Sequence, residues 1–243
     1  MRKKIKSTFV LGSTSTIAKS ICIELAKQGC RKFHLVARNH FKNKDLINTL
    51  EKKFSAIVTE EVHSLSYEYN LEKPFIPKLD NFDLYLITVG SLGKENFEKT
   101  DTIEAMKITA TNYLGILPWI NEIVKNQINK VSRIWIFSSV AGDRGRPSNF
   151  HYGAAKAALT TYCEGLELYC KNKPLRVRVI KAGFIDTPMT KGRVPNLLCL
   201  SPSKVARILL KNPNKRGLEY LPWWWKLIMM IVKSVPDVIA SRL

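Results

Sequence analysis

Along the chain, short runs of β-branched and aliphatic residues alternate with longer segments whose apolar residues recur three and four positions apart. TFVLG (8–12), KFHLVA (32–37), AIVTEEV (56–62), FDLYLITVG (82–90), RIWIFSS (133–139) and LRVRVIKAG (175–183) have the bounded, β-rich character of strands. Between the first two, Ile17, Ile21 and Leu25 share one face of a helix that closes at Gly29. FKNKDLINTLEKKF (41–54) carries a second amphipathic face, and longer helical stretches are predicted from about 101 to 126 and from about 149 to 171. Strands that alternate with helices pair in parallel, because each parallel crossover needs a helix to bring the chain back. The expected fold class is α/β: a doubly wound parallel sheet of about seven strands, with helices on both faces and a C-terminal apolar tail. One domain is expected over 1–222, followed by a basic, apolar tail over 223–243.

Such a sheet holds its ligand beyond the carboxyl ends of its strands. There, after the first strand, Gly12, Ser13, Thr14, Ser15, Thr16 and Ile17 turn the chain into a helix. Backbone N–H groups and the helix dipole favour an anion at this turn, the hydroxyls add donors, and Gly12 permits the tight bend. Thr16 and Ala18 stand where a dinucleotide turn commonly has glycine, so the segment also reads as an ordinary Ser/Thr-capped helix start. The second strand ends in Val36-Ala37-Arg38-Asn39, without the acid that would hold a ribose 2′-hydroxyl of NAD. Arg38 there suits the 2′-phosphate of NADP, and a solvated surface arginine is the alternative.

The stretch SSVAGDRGRPSNFHYGAAK (138–156) carries the chemistry. Tyr152 and Lys156 are four apart on a predicted helix, so their heads converge on one small volume. An ammonium beside a phenol is expected to favour the phenolate and lower its pKa from about 10. Ser139 leaves the end of the fifth predicted strand, where its hydroxyl can donate to a carbonyl oxygen as charge develops on it.

The ordered set of the turn at Gly12, Asn112 in TATNYLG, Ser139 in SSVAG, YGAAK and AGFIDTPM resembles the short-chain dehydrogenase/reductase family over nearly the whole chain. That resemblance implies a Rossmann-like fold, an NADP(H) cofactor and a homo-oligomer. It implies Tyr152 as the proton donor to a carbonyl oxygen, Lys156 on the nicotinamide ribose, Ser139 orienting the carbonyl and Asn112 holding a water of the proton relay. Read from its place in a helix alone, Asn112 is equally an internal hydrogen-bonding residue. Cofactor contacts are implied for residues Gly12 to Ile17, Arg38, Asn39, Val89, Gly90, Tyr152, Lys156, Gly183, Ile185 and Thr187. The family's Asn-Asn-Ala-Gly is replaced by Thr88-Val89-Gly90 and its Pro-Gly by Ala182-Gly183. Within the family, SNFHYG and the tail are similar to the decaprenylphosphoryl-2-keto-ribose reductases, which reduce the 2-keto group of a pentose carried on a polyprenyl phosphate. This implies a lipid-linked carbonyl substrate and a partner oxidase that supplies the ketone. A reductase of a soluble or acyl-linked ketone, and a non-catalytic dinucleotide-binding regulator, are the alternatives.

Charge adds a partner class: 39 Lys and Arg against 20 Asp and Glu leave +19, which suits an anionic surface. No helix-turn-helix, zinc-finger or RNP pattern accompanies it and the lysines are dispersed, so nucleic acid is not expected. The run from Trp223 to Lys233 is shorter than the ~20 residues a spanning helix needs. Its tryptophans beside lysines suit a membrane interface; an oligomer contact or a flap over the site is the alternative. Five cysteines without CxxC spacing indicate neither a disulfide framework nor a zinc site, and no metal is expected. With no signal-peptide pattern at the start, the expected setting is cytoplasmic and peripheral at the inner face of the membrane. His151 is a candidate for the substrate entrance, Arg144 and Arg146 for a substrate phosphate, and 67–70 for the adenine contact.

Overall fold

In the computed structural model, which describes residues 4–65, 75–93, 101–191 and 198–236, seven strands form one all-parallel sheet. They are β1 (Ser7–Leu11), β2 (Lys32–Ala37), β3 (Ile57–Val62), β4 (Leu84–Ile87), β5 (Arg133–Ser139), β6 (Arg176–Ala182) and β7 (Gly217–Leu221). The spatial order is β3-β2-β1-β4-β5-β6-β7, so the winding reverses between β1 and β4. A crevice opens there, where neighbouring connections leave for opposite faces.

Period-two alternation sorts the core. Val10, Leu35, Leu86, Trp135, Phe137 and Ile180 point to one face, under α1 (Thr16–Lys27), α2 (Lys44–Phe54) and α6 (Pro202–Lys211). Phe9, Leu11, Val36, Tyr85, Ile87 and Ile136 point to the other, under α4 (Leu117–Gln127) and α5 (Phe150–Tyr169). Both faces are apolar because both are covered by helices.

The helical stretch expected over 101–126 is two helices. α3 (Thr102–Asn112) ends where Tyr113 turns to φ −142, ψ −71, and a 3₁₀ turn over Leu114–Ile116 leads to α4. Pro118, with no N–H to donate, sits in the first turn of α4 and marks a new start. Gly115 lets this corner close on the loop after β3, since a Cβ there would stand 2.7 Å from the Leu65 carbonyl oxygen. Two elements had no counterpart among the expected runs: α6, capped by Ser201 accepting from the Lys204 N–H, and β7. The Arg178 guanidinium, 2.5 Å from a Glu219 carboxylate oxygen, helps join β6 to β7.

The apolar tail begins with α7 (Trp225–Ser234), whose Trp225 and Met229 pack on Val140 with Phe184 and Tyr220. Trp225 lies where a side chain on Gly183 would be. Arg144 Nη1 donates to the carbonyls of Val232 (2.7 Å), Lys233 (3.1 Å) and Val235 (2.5 Å) at the end of this helix. Among the described residues no helix is long and apolar enough to cross a membrane. If the seat on Gly183 holds the tail, Gly183→Ala will destabilise the fold by about 1–3 kcal/mol and expose α7 to protease. In a Trp225→Ala background the same change will have almost no further effect on thermal unfolding; simple additivity would contradict the contact.

Candidate active site

A cavity of about 760 Å³ lies in this crevice. The turn after β1, the ends of β2, β4 and β5, the start of α5 and the loop after β6 all contribute to its lining.

At one end, Gly12 adopts φ +86, a left-handed conformation, and a Cβ on it would meet Val89 at 3.0 Å. Glycine therefore lets the first turn pass under the loop after β4. Thr14, Ser15, Thr16 and Ile17 line the cavity from the start of α1. Ser15 makes no side-chain cap, and the Thr16 hydroxyl is buried with no hydrogen-bond partner among the described residues. Uncapped helix N–H groups and an orphaned hydroxyl fit the phosphates of a dinucleotide. Arg38 reaches the rim at the end of β2, exposed and without hydrogen bond or ion pair among the described residues. Among the described residues no acidic side chain lines the cavity.

Two residues expected among the cofactor contacts are placed elsewhere. Ser13 is fully buried and points into the protein, its hydroxyl donating to the Val36 carbonyl (3.2 Å) and accepting from Asn43 Nδ2 (2.9 Å). Asn39 precedes the 3₁₀ turn His40–Asn43 without a side-chain cap and does not line the cavity. His63 and Leu65, which no motif marks, do line it after β3. His63 stacks on Phe75 (4.2 Å between centroids), and burial pushes its pKa down, so it offers a flat, uncharged face. The adenine contact expected over 67–70 lies outside the described residues.

At the other end stand Ser139, Tyr152 and Lys156. Ser139, the last residue of β5, accepts the Ala141 N–H at 3.1 Å, which leaves its hydroxyl proton free to donate outward. Tyr152 lies in the first turn of α5, 8 % exposed. One turn on, Lys156 is 2 % exposed; its Nζ donates to the carbonyls of Val89 (3.0 Å) and Phe137 (3.2 Å) and lies 5.8 Å from the Tyr152 ring centroid. Two of the three ammonium donors are thus taken, leaving one.

The electrostatics differ from the expectation that the lysine lowers the phenol. Burial pushes the Tyr152 pKa up, and the hydrogen bond from Ser139 offsets that only in part. The lysine is aimed at two backbone carbonyls, not at the phenol, and its own pKa is pushed down to about 8 by burial. Tyr152 is therefore a neutral phenol, the form that can donate.

Asn112 is the last residue of α3. Its side chain is fully buried and does not line the cavity; Nδ2 donates to Ser91 O (2.7 Å) and Ile108 O (2.8 Å), and Oδ1 accepts the Ser91 N–H (3.1 Å). It pins the loop after β4 to the end of α3. Val89, Gly90, Gly183, Ile185 and Thr187 line the cavity, and Thr190 Oγ1 braces the loop after β6 by donating to the Ile185 carbonyl at 2.5 Å.

A short chain dehydrogenase family profile matches residues 6–197. In a 246-residue alignment the chain is 26% identical to an uncharacterised oxidoreductase of Streptomyces coelicolor, over 98% of this chain and 96% of the relative. A 7β-hydroxysteroid dehydrogenase structure superposes with a TM-score of 0.77 at 18% identity, over 96% of this chain and 94% of that one. L-sorbose reductase of Gluconobacter frateurii, solved with NADPH and L-sorbose, gives 0.72 at 17%, over 89% and 95%. At such identities the two structures speak for the fold.

The buried lysine has a stability signature. Between about pH 8 and 10.5 the unfolded chain holds a proton on Lys156 that the folded chain has lost, so stability rises with pH through that window. Measured against Lys156→Met, the wild type will gain about 3 kcal/mol from the lower to the upper end in denaturant titrations. A difference independent of pH would contradict the assignment.

Proposed function

The chain belongs to the short chain dehydrogenase family, and from that premise we propose that it is an NADPH-dependent reductase of a ketone on a sugar linked to a lipid phosphate. The observation that carries the reduction is the grouping of Ser139, Tyr152 and Lys156 at one end of a cavity whose other end presents the uncapped start of α1 and Arg38.

The residues would hold the cofactor at two places. Residues 14–17 and the orphaned Thr16 hydroxyl would take the diphosphate, and Arg38 the ribose 2′-phosphate. When bound, reduced nicotinamide supplies hydride to a carbonyl carbon. Ser139 donates a hydrogen bond to the carbonyl oxygen and stabilises the charge that develops there. Tyr152, kept neutral by burial, passes its proton to that oxygen. Lys156, with two of its N–H groups on the Val89 and Phe137 carbonyls, would use the remaining one to hold the nicotinamide ribose.

The lipid carrier rests on α7. Its inner side is buried, while Trp223 (70 % exposed), Trp224, Leu227, Ile228, Met230 and Ile231 (69 %) are exposed beside Lys226 and Lys233. With a chain at +19, an apolar face framed by lysines complements an anionic bilayer interface. Trp225 contacts Phe184, which lines the cavity, so a lipid surface on α7 would bring a lipid-borne group to the site. On this reading the protein works peripherally at the cytoplasmic face of the membrane, after an oxidase that makes the ketone. Ile103 and Met106 on α3, with Leu168 and Tyr169 on α5, stay exposed and suit a homo-oligomer.

NADPH oxidation by full-length protein on anionic vesicles, offered farnesyl-phosphoryl 2-keto-pentose, tests both parts. Wild type will turn over, Tyr152→Phe will lose about 10²- to 10⁴-fold in kcat with NADPH affinity retained, and Trp224→Ser with Leu227→Ser will release the protein from the vesicles. Turnover of a soluble ketone alone would remove the lipid carrier. NADPH binding with no turnover of any ketone would remove the reductase.

A separate prediction concerns Arg38. Replacing it with Gln will weaken NADPH binding about 10- to 100-fold and leave NADH affinity nearly unchanged in fluorescence titrations. An equal loss for both would assign the 2′-phosphate contact elsewhere.

A further inference from the structure

Among the described residues the cavity is lined by three side-chain cations and by no carboxylate. Arg38 lies at the end of β2 and Lys156 beside Tyr152, which leaves Arg146 without a task.

Arg146 belongs to the loop between Ser139 and Tyr152. Its carbonyl accepts the Asn149 N–H (3.2 Å), and the Asn149 carbonyl accepts the Gly153 N–H (2.9 Å), so the loop is tied to the first turn of α5, where Tyr152 stands. The two arginines of the loop go separate ways: Arg144 caps the carbonyls at the end of α7, whereas Arg146 lines the cavity. Arg146 Nε is buried and has no hydrogen-bond partner among the described residues, and the guanidinium makes no ion pair there. Asn149 Oδ1, in the same lining, is also buried and unmatched among the described residues. Burial pushes the Arg146 pKa down, but a guanidinium keeps its charge at neutral pH. A partly desolvated cation without a counter-charge is costly unless a ligand supplies one.

The two unmatched atoms are of opposite kind. Arg146 Nε donates and calls for an anionic acceptor; Asn149 Oδ1 accepts and calls for a hydroxyl. A single ligand that offers both, near a carbonyl at Tyr152, is a phosphorylated keto-sugar. We propose that Arg146 and Asn149 form a subsite for the phosphate ester and a neighbouring hydroxyl of the substrate, with the phosphate close to the reducible carbonyl. The inference rests on the reductase reading for the place of that carbonyl and adds the residues that would hold the substrate's phosphate and hydroxyl. The phosphate could belong to a lipid-linked diester or to a soluble sugar phosphate, whose recognition chemistry is shared.

The test compares dihydroxyacetone, dihydroxyacetone phosphate and vesicle-borne farnesyl-phosphoryl 2-keto-pentose, using full-length wild type, Arg146→Gln, Arg146→Lys and Arg38→Gln. Steady-state rates give each ester's kcat/KM relative to dihydroxyacetone. Calorimetry with dihydroxyacetone phosphate on NADP-saturated protein gives a readout independent of turnover. The expected result is a fall of about 10- to 100-fold in both the kcat/KM ratio and the phosphate affinity in Arg146→Gln, with partial recovery in Arg146→Lys. A preference for the vesicle-borne ester alone assigns the phosphate to a lipid; equal preference for both esters assigns it to sugar phosphates in general. Unaltered ratios and affinity in Arg146→Gln overturn the subsite while leaving the reductase intact. Loss of phosphate binding in Arg38→Gln alone overturns it too, by locating the probe at the cofactor end. No turnover of any ketone, with phosphate affinity lost in Arg146→Gln, upholds the subsite and removes the reductase reading.

Discussion

The Lys156 amine, buried and donating to the carbonyls of Val89 and Phe137, is the interaction on which the site depends. It bridges the loop after β4 and the body of β5 from a helix that crosses both. The helix can come so close only because its neighbours are small: a Cβ on Gly142 would stand 2.7 Å from the Ala157 nitrogen, and one on Gly153 2.8 Å from the Ala141 carbonyl oxygen. Ser138 and Thr160 complete the seat, their hydroxyls sharing a 2.6 Å hydrogen bond beside the Lys156 carbonyl. With α5 held at that height, Tyr152 is brought to the end of β5 beside Ser139. The cost is a cation in a desolvated place, which shows in its depressed pKa.

Charge arrangement carries the functional reading further than charge count. A basic chain is common; a cavity with cations at the end of β2, beside the phenol and in the loop before α5, and no carboxylate among the described residues, is a site arranged for anions. The same loop links the cavity to the tail, because Arg144 holds the end of α7 while Asp143 accepts from Tyr220 and pairs with Lys181 (2.5 Å). Whatever contacts the outer face of α7 is therefore mechanically close to the wall of the cavity.

Much of this was legible in residue order. KFHLVA and RIWIFSS are strands over the same residues that their patterns mark, because buried parallel strands leave continuous β-branched runs. The spacing of Ser139, Tyr152 and Lys156 placed all three at one end of a cavity, since strand end and helix face follow from periodicity alone. What depends on tertiary approach was not legible. β7 is five residues with a glutamate at its centre, recognisable as a strand only once Arg178 is seen to pair with that acid. The break after Asn112 could be read from Pro118, but its cause, the closure of Gly115 on Leu65, joins segments far apart in the chain. Ser13 and Asn112 belong to motifs, yet their side chains are consumed by local backbone partners. The phenol was misjudged in sign because helical spacing puts an amine near it without saying where the amine points.

The central claim is that the free protein keeps Tyr152 as a neutral proton donor through burial, with Ser139 as its hydrogen-bonding partner. The most direct measurement is the tyrosinate absorbance of wild type minus Tyr152→Phe, followed against pH, with the same difference taken in a Ser139→Ala background. The account predicts that Tyr152 ionises above the ordinary tyrosine value of about 10, and higher still without Ser139. Ionisation near neutral pH in the free protein, or a fall on removing Ser139, would contradict it.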